Sequence, residues 1–171
     1  MKNLLKILII FFLFSVPTFS ADKIAFVDID FIINSSEIGK KLNKNLNEKL
    51  KKENDRLKQK EKDLKSQEDK ILNQKNVLSE DELNKLLANF KKKISDFNQE
   101  RISINNKLRD QKLKETNSLV SSLNKILANY AEKNSISLII QKKNIVMGKS
   151  ELDITKNVLD IFNSEIKSLQ N

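Results

Sequence analysis

Leu83-Asn84-Lys85-Leu86-Leu87-Ala88-Asn89-Phe90-Lys91-Lys92-Lys93-Ile94-Ser95-Asp96-Phe97 is the stretch that decides how this chain is read. Leu83, Leu87, Phe90, Ile94 and Phe97 step by fours and threes, which places them on one stripe of a helix. The stepping continues through Arg101, Ile104, Leu108, Gln111 and Glu115, and Leu119, Leu123, Ile126 and Tyr130 follow. Upstream, a matching row runs through Leu46, Leu50, Glu53, Leu57, Lys60, Leu64, Gln67, Ile71, Gln74 and Leu78, and from Leu50 on every second member is polar. Between the rows, Ser79-Glu80-Asp81-Glu82 has the S-x-x-E form of a capping box, with Ser79 and Glu82 as its partners, so the tip falls near 79–82. Residues 37–133 therefore read as a long antiparallel coiled-coil hairpin. They contain no proline and a single glycine, Gly39. Each helix has about 40 residues or more and extends roughly 60 Å at about 1.5 Å per residue. Phe90 and Phe97 read as seam filling. Lys91-Lys92-Lys93 covers nearly a full turn, so it is a solvated stretch and not one patch.

The hairpin holds 24 Lys and Arg against 16 Asp and Glu, and so carries most of the +9 formal charge of the 171-residue chain. Such a field governs partners more than fold. The chain has neither Cys nor His, which removes the usual Cys/His zinc sites and any triad that needs imidazole. Two glycines in the whole chain leave none for a glycine-rich phosphate loop. The carboxylates are scattered among lysines as on a solvated face. The reading is a non-enzymatic protein without cofactor or metal.

The first residues read as a leader. Lys2 and Lys6 precede the apolar run Ile7 to Phe14, Ser15-Val16-Pro17 breaks that run, and Thr18 and Ser20 place small residues before a cut between Ser20 and Ala21. The run is short of the roughly 20 apolar residues of a spanning helix. A signal peptide over 1–20 predicts export out of the cytoplasm, where a fold without disulfides rests on packing and assembly.

The remaining ends read as one small α+β body made of 21–36 and 134–171. Lys23 to Ile29 is a strand, and Ile136 to Gln141 and Asn144 to Met147 are two more, with Lys142-Lys143 as a tight turn between them. Asn34-Ser35-Ser36-Glu37 offers a capping box at the hairpin's start. Asp153 or Thr155 caps a C-terminal helix whose Val158, Leu159, Phe162, Ile166 and Leu169 share a face. The expected core and subunit contacts are Ile24, Phe26, Val27, Leu138, Ile139, Ile140, Val146, Val158, Leu159 and Phe162. A unit of this size is near the lower limit for folding alone and leaves open sheet edges, which predicts an oligomer.

Lys23-Ile24-Ala25-Phe26-Val27-Asp28, Asn34-Ser35-Ser36 with Gly39-Lys40, and above all Leu138-Ile139-Ile140, Val146-Met147-Gly148, Leu152-Asp153-Ile154-Thr155 and Val158-Leu159 resemble the Skp/OmpH family of periplasmic chaperones. The hairpin matches that family in character only. The resemblance implies a jellyfish-like homotrimer whose helical arms hold unfolded outer membrane proteins without ATP. Some members are credited with a lipopolysaccharide site, and no residues here are assigned to it; lipopolysaccharide or anionic lipid is the further partner expected of this chain. A basic helical chain admits two other readings. An envelope tether would need filled seams and a fixed partner. A nucleic-acid binder is disfavoured by the leader, by only three Arg in the hairpin and by scarce aromatics.

Overall fold

The computed structural model describes residues 22–167. The leader with its Ser20–Ala21 cut and Leu169 lie outside these residues. The order is strand β1 (Lys23–Val27), helix α1 (Ile29–Ser35), helix α2 (Glu37–Gln74), helix α3 (Glu80–Lys133), strand β2 (Ile136–Gln141) and helix α4 (Thr155–Glu165). Short 3-10 turns at Lys142–Asn144 and Ser150–Leu152 lie between β2 and α4. The molecule is mostly helical, with α2 at 38 residues and α3 at 54.

The sheet differs from expectation. It has two strands, β1 and β2, and they run parallel, with Ile24 beside Leu138 and Phe26 beside Ile140. A parallel pair needs a crossover, and here the whole hairpin is that crossover. Asn144 to Met147 is not a strand. Lys142-Lys143 begins a 3-10 turn, not a hairpin turn, and Ile145 donates to the Lys142 carbonyl. Val146 and Met147 consequently stand almost wholly in solvent. Beyond the 3-10 turns, the chain returns to the sheet's other edge, where Ile154 N–H donates to the Phe26 carbonyl at 3.0 Å.

Helix α1 leaves no clear periodicity in the sequence, because Ile29 to Ser35 is only seven residues and follows directly on the strand pattern. Asp28 starts it, with its carboxylate accepting from Phe31 N–H at 2.8 Å. The cap of α2 is Ser36, not Asn34. Its buried hydroxyl donates to the Ile33 carbonyl and accepts from Gly39 N–H at 3.1 Å, turning the chain sharply between two helices. The core sits at this end of the molecule. Ala25 and Val27 of β1, Ile32 and Ile33 of α1, and Ile38, Leu42 and Leu46 of α2 meet Leu119, Leu123 and Ile126 of α3. Ile154, Val158 and Phe162 close it from α4.

Candidate functional site

The hairpin is built from its tip. Ser79 accepts from Glu82 N–H, and the Glu82 carboxylate accepts from both Ser79 N–H and its hydroxyl, so the capping box forms as the sequence reads. The Ser79 hydroxyl, aided by its N–H, holds the Glu82 carboxyl below the usual carboxylate range. The last α2 carbonyl at Gln74 accepts from Val77 and Leu78, which ends that helix without a glycine.

Polar bridges at three levels fix the register of the two helices. Lys49 donates to Gln111 at 3.2 Å, Lys60 to Glu100 at 2.6 Å and Lys93 to Gln67 at 2.6 Å. In this register the seam is unevenly filled. Leu46 and Leu57 are buried. Leu64, Ile71, Leu78, Leu83, Phe90, Phe97, Ile104 and Leu108 are half-buried, and Leu50, Leu87 and Ile94 are exposed. Ile94 directly follows Lys93, whose ammonium reaches across the seam to Gln67. Between Leu46 and Leu119, Leu57 is the one buried side chain, at 8% exposure.

An ionic cluster flanks Leu57. Arg56 spans Glu53 of its own helix at 2.8 Å and Glu100 of α3 at 2.6 Å, and Lys60 meets the second Glu100 oxygen at 2.6 Å. The hydrogen bonds from Lys60 and Arg56 hold the Glu100 carboxyl below its ordinary range, and those to Glu100 and Glu53 raise the Arg56 guanidinium. Reading the seam alone misses this cluster, because Arg56 and Glu100 lie beside the a/d rows. Lys60 in the row was its visible signal. On the outer side of α2, Lys44, Lys51, Lys58 and Lys65 recur at seven-residue intervals and are all exposed.

At the base, Val27, Phe26, Val158 and Phe162 are buried, while Ile139, Ile140 and Leu159 are half-buried. Ile24 and Leu138 are 44% and 51% exposed, and Val146 is fully so. Strand alternation explains the division: Ala25, Val27 and Ile139 face the helices, and Ile24, Phe26, Leu138 and Ile140 face the other way. That second face is apolar, and Gly148 closes on the Phe26 ring there. The Asp153 carboxylate accepts from Thr155 N–H at 3.0 Å and from Lys142 at 2.6 Å, while Ile154 occupies the cap position of α4. Burial pushes the Asp153 carboxyl up, but the Lys142 and Thr155 hydrogen bonds outweigh it and leave it lowered. Thr155 is not the cap expected of it. Its hydroxyl accepts from Asp28 N–H at 2.9 Å, tying α4 to the junction of β1 and α1. Among the described residues no cluster of carboxylates could hold a metal ion, and no helix is long and apolar enough to cross a membrane.

Known proteins place this arrangement. No curated protein matches the sequence. The crystal structure of a candidate outer membrane chaperone (OmpH-like) from Caulobacter crescentus superposes with a TM-score of 0.81. The match covers 89% of this chain and 90% of that one at 16% identity, a likeness of fold. The sequence itself matches the family described as outer membrane protein (OmpH-like) over residues 23–162, and the chain belongs to that OmpH-like family.

Proposed function

We propose that this protein is an ATP-independent holdase of the periplasm that keeps unfolded outer membrane proteins from aggregating between helical arms before their insertion. The observation that carries this reading is the hairpin itself, two long helices with a single buried side chain between tip and base. A structural rod fills its seam, because each missing apolar layer forfeits packing. A half-filled seam leaves apolar and polar surface available along the whole arm and lets the arm bend to clients of different size. Many weak contacts then sum by multivalency. The lysine excess draws acidic clients before contact. Membership in the OmpH-like family supports a chaperone role, and the leader over 1–20 supports the periplasm.

In this reading 21–36 and 134–171 form the oligomerising body and 37–133 the arm. The open face of the sheet, with Ile24 beside Leu138, supports assembly, since parallel strands are ordinarily covered on both faces. The number three rests on the family resemblance. Lipopolysaccharide or anionic lipid would be an additional ligand of the lysine-rich faces, and nucleic acid no physiological one. The test is native mass spectrometry of the exported chain after dilution of a urea-unfolded outer membrane barrel into it, without nucleotide. Three chains with one barrel are expected. A free oligomer beside an aggregated barrel would transfer the assignment to an envelope tether.

A further inference from the structure

The hairpin is not uniform along its length. Its one buried layer, Leu57, coincides with its one set of ion pairs between the helices among the described residues, those of Arg56 and Lys60 with Glu100. Both lie about three turns beyond Leu46, where the core of the base ends. Toward the tip the seam alternates half-buried apolar residues with Gln67 and Gln74, and the Lys93–Gln67 hydrogen bond is the bridge there. Toward the base lies the polar layer of Lys49, Gln111 and Glu115, where Gln111 accepts from Lys49 and donates to Glu115.

We propose that Glu53, Arg56, Lys60 and Glu100 form an ionic latch that pins the two helices at mid-arm, so that the arm opens on the tip side of the latch without loosening the base. The latch is built on charges that are 28% to 45% exposed, so salt reaches them. Isolated exposed pairs contribute little, but here one carboxylate engages two cations, one of them held in turn by a second carboxylate. The Debye length falls from about 8 Å at physiological ionic strength to about 3 Å at 1 M. Ionic strength therefore sets how far opening travels down the arm: to Leu57 at low salt, and on to the base at high salt. The device does not depend on what the arms hold.

Amide hydrogen exchange on protein purified from cells expressing the full chain tests this. At low salt, Glu100→Gln and Arg56→Met should each speed exchange over residues 54–64 and 96–106 by about fivefold or more. Amides at Leu123 and Ile126 should not change. The double variant should be no faster than Glu100→Gln, because both act through one cluster. Raising salt should bring the wild-type rates in 54–64 up to those of Glu100→Gln and leave the variant unmoved. Wild-type rates independent of salt, or variants that exchange like wild type at low salt, would overturn the proposal. So would faster exchange at Leu123 and Ile126, since the cluster would then belong to the global fold.

Discussion

Any side chain at position 39 would overlap the Ile33 carbonyl oxygen, because α1 and α2 cross there with backbone against backbone. Gly39 is thus a packing residue, and its N–H is the donor that the buried Ser36 hydroxyl accepts. Since the obstruction is backbone, it cannot swing aside as a flexible side chain would. Gly39→Ala is expected to lower stability by about 2 kcal/mol, the middle of the range for overpacked cores. Urea unfolding followed by circular dichroism measures it. A midpoint within error of wild type would show that the α1–α2 corner yields. Thr155 teaches a related lesson, since a residue at a helix start that invites a capping role instead spends its hydroxyl on Asp28, 127 positions away in sequence. Spacing locates such residues but does not tell which backbone N–H lies in reach.

Helices α2 and α3 were legible as elements because seam periodicity and the Ser79–Glu82 box are local properties. What the seam rows concealed is that membership of a row does not ensure burial. Leu87 and Ile94 belong to the row and are exposed, while Leu57 is buried and carries an ionic cluster at its side. If the polar members on the tip side keep the arm pliant, filling them stiffens it. Gln67→Leu with Gln74→Leu replaces two polar layers opposite α3 without touching the ionic cluster. We expect slower hydrogen exchange over residues 64–97, a higher thermal midpoint and weaker protection of large clients. Undiminished protection of large clients by a stiffened arm would separate pliancy from function.

For the whole molecule, the uncovered apolar residues divide between the arm, where Leu72, Val77, Ile102 and Leu113 are exposed, and the base. Ile24 and Leu138 are neighbours on the open sheet face, and Val146 and Met147 project from the chain that follows. In the proposed assembly this apolar pair lies in the subunit contact. Ile24→Glu with Leu138→Glu sets two like charges on paired strand positions at that face and touches none of the core residues around Phe162. The expected outcome is single chains of unchanged helix content, read by light scattering after gel filtration together with circular dichroism. Retention of the wild-type mass would place the subunit contact elsewhere.

Residue order is enough to find the helical hairpin, its charge and the capping box that opens its second helix. Each follows from periodicity, capping chemistry or composition, which act over a few residues. The first helix of the hairpin ends at Gln74, short of the expected Leu78. The tertiary structure alone decided that β1 and β2 run parallel, that Asn144 to Met147 is not a strand, and that Arg56 and Lys60 meet Glu100. Those outcomes depend on residues that are far apart in the chain and brought together only by the fold. Strand β1 finds its partner after a crossover of more than a hundred residues, and a pattern with a period of two or three and a half contains no record of that encounter.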